Sequence, residues 1–191
     1  MEKTILYFHG FASSSDSTKA KILKDYISKE KFKTQIITPD LSNSFIEACE
    51  QIEKLINNCT QPIVFMGSSL GGYYAYYFSN KLNACNVLIN PAIPPLKGFE
   101  IYLGKNQNFS TGEEFFIKKE DISFLRSLSN AKLANKSKSL VLVETGDEII
   151  NYIDTVRFFK GSFIDITFGG NHSFATIDTK LEKITNFLEI S

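Results

Sequence analysis

Gly67-Ser68-Ser69-Leu70-Gly71 is a glycine-framed serine set directly after an apolar run, Ile63 to Met66, and directly before a segment of helical spacing, Leu70 to Asn80. Between a strand and a helix, the spacing G-x-S-x-G holds its serine on a tight turn where side chains at the glycine positions would strike neighbouring backbone. The hydroxyl then projects from the carboxyl edge of a sheet, beside a helix N-terminus that favours developing negative charge. That placement suits a nucleophile attacking an acyl carbonyl, and the spacing selects Ser69 over its neighbour Ser68. Two other readings compete: a small-residue turn that only packs a helix on a strand, and a phosphate-cradling loop. A P-loop calls for Lys after the second glycine, whereas Tyr73 and Tyr74 stand in that stretch here.

A serine becomes nucleophilic at neutral pH only with a base in reach, and the chain has two histidines. His172 lies in Gly169-Gly170-Asn171-His172-Ser173, between the last apolar run and the last helical segment, where a loop at a strand's carboxyl end reaches a neighbouring elbow. His9, in His9-Gly10-Phe11, reads instead as a hydrogen-bonded structural residue. The imidazole needs a carboxylate to hold its tautomer, and with this elbow the acid falls between serine and histidine in chain order. Asp147, after Leu140 to Glu144 and the turn Thr145-Gly146, fits; Glu148 and Asp154 are its rivals, and Asp147 also reads as the N-cap of a helix starting near Ile149. Two backbone N–H groups would stabilise the oxyanion: Leu70, which follows the serine, and Phe11, in the loop opened by Gly10.

The elements that must position these residues alternate. Apolar runs at Ile5 to Phe8, Gln35 to Ile37, Ile63 to Met66, Asn86 to Ile89, Leu140 to Val143 and Phe163 to Phe168 read as buried strands. Helical spacing marks Thr18 to Lys29, Ser44 to Asn57, Leu70 to Asn80, Ile149 to Phe159 and Ala175 to Leu188, the second behind Ser42 or Asn43 as N-cap. Strand alternating with helix predicts an α/β fold of three layers, a mostly parallel sheet of about six strands with helices on both faces. From Pro91 to Lys138 the alternation lapses into a cap-like excursion bearing several Pro and Gly and the aromatics Phe99, Tyr102, Phe109, Phe115 and Phe116. It would either line the acyl site or cover the sheet edge.

The 191 residues, 43% of them hydrophobic, suffice for one well-buried domain spanning 1–191. With 21 basic and 21 acidic residues the formal net charge is zero, so nothing draws the chain to nucleic acid or to an anionic membrane, and a small molecule in a pocket is the expected partner. Cys49, Cys59 and Cys85 are an odd set without metal-ligand spacing, which fits a reducing, cytoplasmic setting. No run approaches the ~18 apolar residues of a membrane span.

Several stretches together carry a family likeness: Leu6-Tyr7-Phe8-His9-Gly10-Phe11 with Ser13-Ser14, Ser17 and Lys19-Ala20, Gly67 through Ala75, and Asn90-Pro91-Ala92. They continue through Tyr102-Leu103-Gly104, Asn106, Asn108, Thr111-Gly112, Thr145-Gly146-Asp147-Glu148 and Gly169-Gly170-Asn171-His172 with Phe174. On these the chain resembles, from end to end, the small bacterial esterases of the YqiA type within the α/β-hydrolase superfamily. The resemblance implies a barely capped hydrolase of acyl esters, acyl-CoA thioesters among them, with Ser69, Asp147 and His172 in the catalytic positions. Asn151 departs from the pattern, standing where the family often has Asp; that removes one rival acid. The implied chemistry is attack by Ser69, proton transfer through His172 and hydrolysis of an acyl-enzyme, with no cofactor and no metal. Two other classes stay open: a hydrolase-fold protein that only binds a small ligand, and a nucleotide-binding protein using Gly67 to Gly72 as a phosphate loop.

Overall fold

A computed structural model describes residues 2–128 and 136–190. The chain runs β1 (Thr4–Phe8), α1 (Thr18–Lys29), β2 (Gln35–Ile37), α2 (Phe45–Asn58), β3 (Ile63–Ser68), α3 (Leu70–Leu82) and β4 (Asn86–Ile89). It continues through β5 (Gly104–Gln107), β6 (Glu114–Ile117), α4 (Lys119–Ser127), β7 (Ser139–Glu144), α5 (Tyr152–Phe158), β8 (Phe163–Thr167) and α6 (Leu181–Leu188). Six strands form one sheet in the order β2-β1-β3-β4-β7-β8, and every pairing in it is parallel.

Side chains alternate across each strand, so a run buried on both faces must be apolar at every position. Leu6, Phe8, Phe65, Leu88, Val141 and Val143 face one way, against Phe45, Ile52, Tyr73 and Phe78 of α2 and α3 and Phe159 beyond α5. Ile5, Tyr7, Val64, Met66, Val87, Ile89 and Leu142 face the other, against Leu23 and Ile27 of α1 and Ile184 and Leu188 of α6. These are the three layers expected. After β2 the chain crosses back past β1 to β3, so the loops that follow β1 and β3 diverge to opposite sides; such a switch point at the strands' carboxyl ends leaves a crevice.

Three helix boundaries differ from expectation, two of them for a local polar reason. Ser44, rather than Ser42 or Asn43, caps α2, its hydroxyl accepting from the Glu47 N–H, while the Ser42 hydroxyl accepts from the Ser44 N–H. Helix α5 starts only at Tyr152, capped by Asn151, because the Asp147 carboxylate takes the N–H groups of Ile149 and Ile150 in a non-helical turn. The last helical segment opens as a 3-10 turn, Ile177–Lys180, before α6. Within the excursion, β5 and β6 form an antiparallel hairpin apart from the main sheet, and Ile117, Ile122, Leu125 and Phe99 pack into the core on the α2–α3 side. Residues 129–135 of the excursion lie outside the described residues.

Candidate active site

Ser69 sits at the end of β3 with φ 54° and ψ −121°, a left-handed conformation that a residue with a side chain adopts only where its surroundings enforce it. Backbone bonds do so: the Ser69 N–H donates to Ile89 O at 3.0 Å, and the Ser69 carbonyl accepts from Ala92 N–H at 3.0 Å. The tight turn also demands its glycines, since a Cβ at Gly71 would stand 2.1 Å from Phe8 O, and one at Gly67 2.1 Å from Gly71 O.

The loops after β7 and β8 bring the other two residues to this serine. His172 Nε2 lies 3.0 Å from Ser69 Oγ, and His172 Nδ1 lies 2.8 and 3.0 Å from the two Asp147 carboxylate oxygens. With the carboxylate accepting, Nδ1 carries the proton and Nε2 is left as acceptor for the serine hydroxyl. The Asp147 side chain is 2% exposed and that of His172 17%, so the acid is sequestered while the imidazole keeps partial exposure. The two rival carboxylates are engaged elsewhere: Glu148 accepts the His172 backbone N–H at 2.9 Å, which lowers its pKa, and Asp154 pairs with Arg157 at 3.7 Å. Asp147 is not the helix N-cap expected of it, since Asn151 caps α5; its Oδ1 instead accepts the Ile149 and Ile150 N–H groups in a non-helical turn, so one carboxylate orients both its own loop and the imidazole. Among the described residues no cluster of His, Cys, Asp and Glu would hold a metal ion.

Sequence reasoning passed over the residues that hold the histidine loop. Glu144, at the end of β7, is 0% exposed. One of its carboxylate oxygens accepts the Asn171 N–H at 2.7 Å, and the other accepts the Thr176 hydroxyl at 2.5 Å. Asn90, after β4, accepts the Glu144 N–H on its side-chain oxygen and donates its amide to Asn171 O at 3.1 Å. Lys19 of α1 donates to Ser173 O at 2.8 Å, its pKa lowered by burial and partly restored by the Glu144 charge. The loop packs so closely that Gly170, at φ 72°, leaves no room for a Cβ, which would lie 2.0 Å from Glu144 Oε2. A charged residue at the end of an apolar strand was the available signal; it reads as the strand's polar terminus until the loop is seen wrapped around it.

Phe11 and Leu70 line the same cleft as Ser69, on the two sides of the switch point. Leu70 is the first residue of α3, so its N–H has no partner inside the helix. Gly10 packs directly on Ser69, a Cβ there falling 3.4 Å from Ser69 Cβ. His9 is buried and structural: Nδ1 lies 2.8 Å from Gly10 O, Nε2 accepts the Leu41 N–H at 3.1 Å, and burial lowers its pKa. The cleft, about 690 Å³, is walled by Phe11, Leu96, Phe99, Tyr102, Ile150 and Phe158 among others, with Lys97, Asp154 and Arg157 as its charged residues.

Comparison with known proteins identifies relatives of the whole chain. A "UPF0227 protein" of Shewanella woodyi is 27% identical over 190 residues, covering 96% of this chain and 98% of its own. Among solved structures, mouse alpha/beta hydrolase domain-containing protein 10 superposes with a TM-score of 0.74 at 16% identity, over 97% of this chain and 89% of the other. Est1E from Butyrivibrio proteoclasticus with ferulic acid bound superposes with a TM-score of 0.72 at 14% identity, over 97% and 88%. No helix among the described residues is long and apolar enough to cross a membrane. The chain has the α/β-hydrolase fold of these structures; the family described as "Uncharacterised protein family (UPF0227)" matches residues 4–189, and the chain belongs to it.

Proposed function

We propose that this protein is a serine hydrolase of carboxylic esters or thioesters, acyl-CoA among them, with Ser69 as nucleophile, His172 as base and Asp147 as the acid that orients it. The observation that carries this is the continuous chain from Ser69 Oγ to His172 Nε2 at 3.0 Å and from His172 Nδ1 to Asp147 Oδ2 at 2.8 Å, opening into an apolar cleft. As Ser69 Oγ bonds to the acyl carbon, its proton passes to His172 Nε2, and Asp147 stabilises the imidazolium. The carbonyl oxygen gains charge and is met by the N–H groups of Phe11 and Leu70. Collapse of the tetrahedral intermediate breaks the bond to the alcohol or thiol, which takes the proton from His172. Water then attacks the acyl-enzyme by the same route in reverse. No cofactor and no metal enter these steps.

The substrate side of the proposal is a small molecule with an apolar acyl group, since the cleft wall is aliphatic and aromatic. That Est1E holds ferulic acid on the same fold supports an acyl ligand in such a crevice. The three free cysteines fit a cytoplasmic enzyme. The test is fluorophosphonate labelling beside a graded panel of soluble acyl esters and acyl-CoAs. Labelling is expected at Ser69 and is expected to vanish in Ser69→Ala, and kcat/KM is expected to rise about fourfold per methylene over the first carbons, from ~0.8 kcal/mol per buried CH₂. Equal labelling of the alanine variant would remove Ser69 as nucleophile. A jump in rate when the ester passes its solubility limit would contradict an open cleft.

A further inference from the structure

The loop that carries the Phe11 N–H leaves β1 through Gly10 and at once takes a strained course: Ala12 has φ 52° and is buried. A residue with a Cβ keeps such a conformation only where its neighbours over-determine it. The neighbours here come from the tip of the β5–β6 hairpin. The Phe109 N–H donates to Ala12 O at 2.8 Å, and the Asn108 side-chain amide donates to Ser13 O at 3.0 Å.

Asn108 is 4% exposed, and its two ends do different things. Its oxygen accepts the N–H groups of Ser110 and Thr111, at 2.9 and 3.1 Å, and so folds the hairpin's own turn. Its NH₂ reaches outside the hairpin, to Ser13 O and to Asn43 Oδ1 at 3.3 Å. Two backbone donors on one side and two oxygen acceptors on the other define the amide's orientation. From the opposite direction the Phe11 ring is packed by the same excursion, with ring centroids 5.7 Å from Phe99, 4.6 Å from Tyr102 and 5.6 Å from Phe115. The Phe11 N–H is thus held between a hydrogen-bonded clamp and an aromatic cluster, both supplied by residues 99–115.

We propose that the excursion is a brace for the oxyanion loop, and that Asn108 is a positioning residue whose amide holds the Ser13 carbonyl and thereby aims the Phe11 N–H at the oxygen of the tetrahedral intermediate. The proposal rests on Phe11 being an oxyanion donor, as proposed above. A lid would have to open, and opening this hairpin would strip the clamp from a buried amide and expose the aromatic cluster. The preorganised donor is worth most in the transition state, so loosening it lowers kcat and leaves ground-state binding alone.

The variant that separates brace from fold is Asn108→Asp: it keeps the acceptor for the Ser110 and Thr111 N–H groups and loses the donor to Ser13 O. Its kcat on an aryl butyrate is expected to fall tenfold to a hundredfold with KM within twofold. Affinity for an alkyl boronic acid, which mimics the tetrahedral adduct, should fall by the same factor as kcat. Amide hydrogen exchange at residues 11–13 should quicken at least tenfold, while Gln107→Ala, whose amide bonds only within the hairpin turn, stays at wild-type rates throughout. Wild-type kcat and wild-type exchange at residues 11–13 in Asn108→Asp would overturn the brace. Exchange needs no substrate, so it decides the brace even if wild-type Ser69 proves unreactive, an outcome that would overturn the hydrolase proposal instead. Faster exchange at residues 11–13 with unchanged kcat and boronic-acid affinity would show the clamp to be structural only, and would remove Asn108 as a positioning residue.

Discussion

Asp147→Asn should disable the proposed triad through its hydrogen-bond geometry rather than through loss of charge alone. Asp147 Oδ1 accepts the N–H groups of Ile149 at 2.8 Å and Ile150 at 2.7 Å, while Oδ2 faces His172 Nδ1 at 2.8 Å. An asparagine keeps its oxygen at the Oδ1 position, because the reverse orientation would set its NH₂ against two N–H donors and forfeit two hydrogen bonds worth about 1 kcal/mol each. Its NH₂ then confronts Nδ1, and the imidazole must shift its proton to Nε2, where it can no longer accept from Ser69. A wrong tautomer in such a triad costs about 10⁴ in kcat, or about 5.4 kcal/mol of barrier. Here Nδ1 also stands 3.0 Å from the retained oxygen, so a minor productive population survives. The expected loss is therefore about 10³ to 10⁴ in kcat, with KM little changed. Aryl butyrate turnover gives the rates, and nitrogen NMR of a chain with only two histidines gives the tautomer directly. A variant whose ring keeps the Nδ1 proton, or one with more than a tenth of wild-type kcat, would refute this reasoning.

Two further outcomes follow from groups around the site. Glu144→Leu removes the acceptor of the part-buried Asn171 N–H and of the Thr176 hydroxyl, at about 1 kcal/mol for each lost hydrogen bond, or roughly 2–8 °C in Tm for a domain of this size, and should also lower kcat by releasing the His172 loop; Glu144→Gln should restore most of both, and thermal melts beside turnover check it. His9 is held neutral, its pKa below the ordinary histidine value chiefly through burial, against smaller opposing effects of the Gly10 carbonyl and Asp40. The unfolded chain therefore takes up a proton near pH 6.5 that the folded chain refuses. This contribution to stability is whole above that pH and falls as the pH drops below it, so denaturant midpoints should decline more steeply from pH 7 to 5 in wild type than in His9→Gln, and parallel curves would contradict the assignment.

Much of the molecule follows from local rules. Strand runs such as Ile63 to Met66 are apolar at successive positions because both faces of a parallel sheet are covered, and that is visible without a structure. The elbow is likewise local: glycines at 67 and 71 are needed wherever a serine occupies that turn, and the structure shows backbone within 2.1 Å of where their side chains would be. With two histidines in the chain, the choice of partner for Ser69 was narrow from the outset.

Only the tertiary structure sorts the acids, because Asp147, Glu148 and Asp154 share one short stretch and differ in what lies opposite them: an imidazole, a backbone N–H and an arginine. The same holds for Glu144 and Asn108, polar residues whose partners are 27 and 95 positions away in the chain. Periodicity reports which face of an element is buried; it carries nothing about which loop a buried polar group will meet. Those meetings are set by strand order, which brings the ends of β1, β3, β7 and β8 to one edge of the sheet, and strand order depends on packing over the whole chain.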